Sequence, residues 1–214
     1  MRRITIGIDE VGRGALAGPV VLAGVLISGS VRWSHPTLGR IRDSKKLTPR
    51  MREMWFSHLT AHSGIQWRVT RVSPRIIDRI NISQAANLGA LRLVQRLSLV
   101  ISHLPSPLSA DSRRPGSLAP FVWLDGGLVL PDAIPHKALI RGDERKPIIA
   151  AASIIAKVWR DRAMKKLARR IPEYGFEIHK GYGTRGHLAA IAIRGPSFVH
   201  RNSFAPMSLR IREG

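Results

Sequence analysis

The 214-residue chain contains no cysteine. That absence excludes disulfides and zinc–thiolate sites, and it fits a reducing cytoplasm, the compartment expected here. Long apolar runs are missing as well. None reaches the ~20 residues a helix needs to cross a bilayer, so no membrane span is expected. Asp9 and Glu10 interrupt the one apolar run near the N-terminus, which argues against a signal peptide. Carboxylates are scarce: Asp and Glu number 14 against 35 Lys and Arg, a formal charge of +21. So large an excess repels itself in a folded chain, and a polyanion is the ordinary partner that offsets it. Nucleic acid is the leading candidate, ahead of an anionic membrane surface.

With so few acids, their positions carry information. Ile4-Thr5-Ile6-Gly7-Ile8 reads as a buried strand, and it runs straight into Asp9-Glu10-Val11-Gly12-Arg13-Gly14. Phe121 to Leu124 reads as another strand ending in an acid, Asp125. Ala138-Leu139-Ile140 is a shorter one, with Asp143 soon after. Carboxylates at strand ends are hard-oxygen ligands suited to magnesium or manganese. If the four converge they repel one another unless cations neutralise them. Two ions ~3.5–4 Å apart can then activate a water and stabilise the leaving oxygen of a phosphoryl displacement. The plainer alternative is that Asp9 and Glu10 are strand-end acids in salt bridges with the abundant Arg and Lys. The glycines of the Gly-Arg-Gly turn would let a backbone approach a ligand that a Cβ excludes.

Elsewhere, Pro19 to Ile27 reads as a second buried strand and Gln66 to Val72 as a third. Thr48-Pro49 resembles an N-cap followed by proline at the first helical position, opening a helix toward Ser57 or His62. Ser73-Pro74 opens a short helix, and Ser83 is read as the cap of a longer one reaching about Val100. His103 to Pro120, rich in Pro, Ser and Arg, is read as a loop or insertion. Ile148 to Arg170 has helical spacing, with small residues first for close packing on a sheet. Strands interleaved with helices predict an α/β sheet with helices on its faces and ligands beyond the strand ends. The expected division is a catalytic domain over residues 1–170 and a small helical extension over 171–214. Nothing suggests self-association, so a monomer is expected.

Several motifs in order resemble bacterial ribonuclease HII, from Ile6 to about Met207. They are Asp9-Glu10-Val11-Gly12-Arg13-Gly14, Asp43-Ser44-Lys45-Lys46-Leu47, Asn81-Ile82, Asp125-Gly126, Gly142-Asp143, Ala151-Ala152-Ser153-Ile154-Ile155-Ala156-Lys157-Val158 with Arg160-Asp161, His179-Lys180-Gly181-Tyr182-Gly183-Thr184, and His200-Arg201 with Ser203-Phe204. The resemblance implies an RNase H-like fold: a five-stranded mixed β-sheet flanked by helices, with a small C-terminal helical extension. It implies hydrolysis of RNA in RNA–DNA hybrids and incision 5′ of single ribonucleotides in duplex DNA, leaving a 3′-hydroxyl and a 5′-phosphate, with Mn2+ or Mg2+. It also assigns metal binding and catalysis to Asp9, Glu10, Asp125 and Asp143.

Only the 2′-hydroxyl separates a ribonucleotide from a deoxyribonucleotide. In the family the Gly-Arg-Gly turn reads that hydroxyl, which maps to Gly12, Arg13 and Gly14, and the tyrosine contacting the neighbouring sugar maps to Tyr182. Ser44, Lys45 and Lys46 read as a phosphate-contacting loop, and Asn81 is a further candidate contact. Ser153 and Lys157, one helical turn apart, could face nucleic acid together or pack on the sheet. Arg160, Arg162, Lys165, Lys166, Arg169 and Arg170 are expected to supply sequence-independent phosphate affinity. His179 and His200 are possible proton shuttles, although lone histidines are more often structural. Two rival readings stand beside this one: another two-metal nuclease such as an acid-quartet exonuclease, and a non-catalytic basic nucleic-acid-binding protein.

Overall fold

The first strand, β1 (Ile4–Val11), alternates its two faces: Ile4, Ile6 and Ile8 are buried on one side, Gly7 and Asp9 lie on the other. The computed structural model describes residues 4–101 and 120–210, so the stretch read as an insertion, 103–120, lies outside the described residues except for Pro120. After β1 come β2 (Val20–Ser28), a two-stranded ribbon of β3 (Ser34–His35) and β4 (Gly39–Arg40), α1 (Pro49–Ala61), β5 (Ile65–Val72), α2 (Pro74–Ile80) and α3 (Ile82–Ile101). The chain continues with β6 (Phe121–Asp125), β7 (His136–Leu139), α4 (Gly142–Arg145), α5 (Pro147–Arg170), α6 (Phe176–His179), α7 (Arg185–Arg194) and α8 (Met207–Arg210).

Five strands form one mixed sheet in the order β5-β2-β1-β6-β7. Strand β2 is antiparallel to both neighbours, while β1, β6 and β7 run parallel. Three parallel strands therefore end on one edge, which is where the acids were expected. Helices α1 and α5 cover one face, and α2 and α3 cover the other. The small residues at the start of α5 permit a close approach: a Cβ on Gly7 would lie 2.7 Å from the Ile148 carbonyl oxygen. Glycine is required there because the helix backbone itself occupies the space.

Local chemistry accounts for most helix starts. The Thr48 side chain accepts from the Met51 N–H at 3.2 Å, and Pro49 sits where no intrahelical donor is needed. Helix α3 departs from expectation. Asn81, not Ser83, caps it, its Oδ1 accepting from the Gln84 N–H at 3.0 Å. Ser83 lies inside the first turn, and its hydroxyl accepts from Arg13 instead, at 2.9 Å. Strand β7 also begins two residues earlier than read from the sequence, because pairing from Val122–His136 to Asp125–Leu139 sets its register and leaves Ile140 exposed.

Beyond α5, the C-terminal segment packs on the Gly-Arg-Gly region through a third core that includes Leu16, Ala17, Met164, Tyr174, Phe176 and Val199. Backbone bonds join the two: Leu16 and Ala17 donate to the Gly181 carbonyl, Gly18 to that of Val199, and Arg201 to that of Leu16. Among the described residues, no helix is long and apolar enough to cross a membrane.

Candidate metal and substrate site

Parallel pairing of Ile8 with Leu124 places Asp9 and Asp125 side by side as their strands end. Ligand oxygens of Asp9, Glu10 and Asp125 lie within 4.8 Å of one another. Asp143 arrives by a different route. The Gly142 N–H donates to Asp125 Oδ1 at 2.7 Å, which docks the start of α4 against the end of β6. A Cβ on Gly142 would come 2.7 Å from Ile149 Cδ1 and 3.2 Å from that same carboxylate, so only glycine lets Asp143 come this close. Asp143 is buried, and its charge is felt at Asp9. Asp9, Glu10 and Asp125 thus form one cluster, and Asp143 lies beside it, near enough for its charge to act on Asp9.

The electrostatics of the cluster favour protons or cations over bare charge. Burial pushes the Asp9 carboxyl well above its ordinary range, and repulsion from Glu10, Asp125 and Asp143 adds to the effect. The Ser153 hydroxyl works the other way by bonding to Asp9. Glu10 is raised to about 7, mainly by burial and then by Asp125, against the opposing pull of Arg13. Asp143 is raised to about 6 by burial and by its neighbours Asp43 and Asp125, with Lys45 opposing. One Glu10 oxygen is bonded by Arg13 at 3.2 Å, whereas Oε2 is buried without a hydrogen-bond partner among the described residues. A buried, unpartnered carboxylate oxygen is costly, and a divalent cation with oxygen preference would satisfy it. The donor set fits magnesium or manganese: all oxygen, all anionic, no sulfur or imidazole.

Asp43 was missed as part of this site. It is buried, shares a hydrogen bond with Asp143, and accepts from the Lys45 N–H at 2.9 Å, so it holds the loop Ser44–Lys46 against the acids. In the sequence it stands in the Asp43-Ser44-Lys45-Lys46-Leu47 block, where a run of charge more often marks a solvated surface. Lys45 Nζ lies 3.8 Å from Asp143, and Lys46 Nζ lies 3.2 Å from Glu144; both lysines are exposed.

The other nominated residues fall into two groups. Gly12, Arg13 and Gly14 form the turn directly beyond the acids, with Gly14 exposed, and Tyr182 is half-buried with the Arg160 guanidinium 5.2 Å from its ring centre. Lys157 pairs with Asp161 at 2.8 Å. Ser44 and Ser153, in contrast, are buried and bond to each other at 2.8 Å, tying the lysine loop to the helix beneath Asp9. Asn81 uses its side chain as the α3 cap. Arg160 was grouped with the phosphate-binding surface cations, and this is corrected: it is fully buried, donating to the Ala17 and Pro19 carbonyls. The small residues around it left room for the guanidinium to pack inward beneath Gly12, which no linear pattern showed.

The histidines form a separate buried group. His187 Nε2 and His200 Nε2 are 3.1 Å apart, and the His179 and His187 rings stack at 4.3 Å. Burial, with His187 beside it, lowers His200 to about 4. Bonded to one another or to backbone and packed against Phe176, these rings serve the C-terminal core.

Comparison with known proteins agrees with this geometry. The family described as ribonuclease HII matches residues 6–207. Ribonuclease HII of Xylella fastidiosa (strain M12) is 40% identical over 204 residues, spanning 95% of this chain and 78% of the relative. That of Bacillus cereus (strain B4264) is 42% identical over 207 residues, spanning 97% and 71%. Among solved structures, ribonuclease HII from Archaeoglobus fulgidus, determined in a complex with PCNA, superimposes with a TM-score of 0.68 at 26% identity over 92% of this chain and 91% of that one. Bst-RNase HIII in complex with Mn2+ shares the fold at a TM-score of 0.63 and 20% identity, over 99% and 70%. Sequence and fold agree over nearly the whole length: the chain belongs to the ribonuclease HII family, endonucleases that hydrolyse the RNA of RNA–DNA hybrids.

Proposed function

We propose that this chain incises duplex DNA on the 5′ side of a single embedded ribonucleotide, and cuts the RNA strand of RNA–DNA hybrids, leaving a 3′-hydroxyl and a 5′-phosphate. The observation that carries this reading is the unpartnered Glu10 Oε2, buried among carboxylates of raised proton affinity in a chain of formal charge +21. Asp9, Glu10, Asp125 and Asp143 would hold Mn2+ or Mg2+. Bound there, the cation supplies Lewis-acid chemistry, offsetting charge on the scissile phosphate and lowering the proton affinity of the attacking water. The chain's own groups do the rest. Lys45 and Lys46 stand exposed at the cleft rim where a phosphate backbone would pass. The Gly12–Gly14 turn, next to Glu10 in the chain, reads the 2′-hydroxyl, and Tyr182 packs against the adjoining sugar. The enzyme acts as a monomer in the cytoplasm.

One assay separates this reading from its rivals: a duplex DNA with one internal ribonucleotide, incubated with Mn2+ or Mg2+. The expected product is a single incision 5′ of the ribonucleotide, abolished by EDTA. Degradation of all-DNA from its ends would favour the exonuclease, and binding without cutting would favour the non-catalytic protein.

A further inference from the structure

Arg201 lies far along the chain from the Gly-Arg-Gly turn, yet the side-chain hydrogen bonds it makes among the described residues all go to that turn and its continuation. Its Nη1 donates to the Arg13 carbonyl at 2.7 Å, Nη2 to those of Gly12 at 2.7 Å and Gly18 at 3.0 Å, and Nε to Gly18 at 3.1 Å. The residue is fully buried, and no carboxylate pairs with it among the described residues. A second buried guanidinium, Arg160, lies just below: a Cβ on Gly12 would sit 2.0 Å from its Nε. Burying two cations side by side is expensive, and carbonyl dipoles are their main compensation.

The geometry has a direct consequence for the opposite side of the turn. In a trans peptide the C=O and the following N–H point in opposite directions. With the Gly12 and Arg13 carbonyls drawn inward, the N–H groups of Arg13 and Gly14 must point outward, toward the cleft. Neither N–H finds an acceptor among the described residues, and the space beside Gly14 is open. Two successive outward N–H groups next to the carboxylates form a small concavity suited to an oxygen acceptor.

We infer that Arg201 is a positioning residue for substrate choice: by holding the Gly12 and Arg13 carbonyls from behind, it fixes the Arg13 and Gly14 N–H groups as donors to the 2′-hydroxyl oxygen of the ribonucleotide at the cut site. The inference rests on the proposed ribonucleotide incision. Only arginine carries enough donors in a rigid fork to hold three carbonyls at once, so lysine is not an adequate replacement.

The test compares wild type, Arg201→Lys and Arg201→Ala on a single-ribonucleotide duplex, alongside affinity for an all-DNA duplex of the same sequence. The expected result is a loss of about 100-fold in kcat/KM, the scale of removing a preorganised backbone donor, with all-DNA affinity and Mn2+ binding unchanged. Added guanidinium should restore part of the Arg201→Ala activity and leave wild type unaffected. A folded variant that cleaves like wild type, or one that loses cleavage and all-DNA affinity equally, would overturn the inference. If both variants fail to fold, amide NMR of the wild type decides. A single-ribonucleotide duplex in Ca2+ should shift the Arg13 and Gly14 amides, and an all-DNA duplex should leave them in place; identical spectra contradict the inference. Wild type inactive on every ribonucleotide substrate would instead defeat the proposed function.

Discussion

Two clusters of titratable side chains stand in this protein, and burial acts on them in opposite ways. At the strand ends it raises the carboxyls, Glu10 to about 7 and Asp143 to about 6; in the C-terminal core it lowers His200 to about 4. Desolvation disfavours whichever form is charged, so each cluster is driven toward neutrality. His187 and His200 reach it by losing a proton, and their ring nitrogens bond to one another and to backbone. The acids cannot reach it so simply, because the partnerless Glu10 Oε2 and the mutual repulsion remain. The difference teaches that a perturbed group marks a site when its environment leaves something unsatisfied, and marks a core when it does not.

The comparison breaks most visibly on Asp9→Asn. Cleavage should fall on the order of 10³-fold or more, since an essential ligand oxygen is lost, while the thermal midpoint of the metal-free protein should rise because a buried like charge is gone. An active variant, measured by single-ribonucleotide cleavage, would dissolve the distinction between the clusters. His179→Asn should by contrast change cleavage by less than about 3-fold and leave the pH profile of activity in place, as substitutions away from the chemistry do.

The next effect is the response to pH. Glu10 and Asp143 have folded proton affinities above their unfolded values, so their contribution to stability is fullest below about pH 4.5 and is lost as pH rises toward 7. His200 has a lowered folded affinity, so its contribution is present above about pH 6.5 and is lost as pH falls toward 4. Metal-free thermal unfolding should therefore weaken from pH 5.5 to 7.5, whereas saturating Mn2+ should cancel that decline by favouring the ionised carboxylates. Activity should rise with pH through about 6–7, with a midpoint that moves lower as Mn2+ increases. The smallest effects belong to the rim. Lys45→Ala should raise KM and reduce the salt slope of binding by about 1, one phosphate contact's worth, with kcat little changed.

Much of the fold was legible in the sequence because three strands led into scarce acids. Scarce acids after apolar runs identified the cleft, and the parallel order of β1, β6 and β7 makes their convergence a consequence of topology. Thr48-Pro49 and the small residues opening α5 were equally readable, since caps and close packing are local demands. What stayed hidden depends on which way a long side chain turns. Arg160 and Arg201 look like two more cations in a chain with 35 Lys and Arg, yet both are buried beneath the Gly-Arg-Gly turn. Ser44 and Ser153 look like surface hydroxyls, yet they meet across 109 positions. Ser83 obeys the rule for a cap, but Asn81 reached the free N–H first. Distance along the chain conceals such pairings because no periodicity encodes them.

The central claim is that the buried carboxylates retain protons until a divalent ion displaces them. Calorimetric titration of Mn2+ at pH 6.0, in two buffers of different ionisation enthalpy, counts those protons directly. The account predicts release of about one proton or more per protein on binding, falling toward zero at pH 8.5 and absent in Asp9→Asn with Glu10→Gln. Tight binding with no proton release at pH 6.0, or no binding at all, would contradict it.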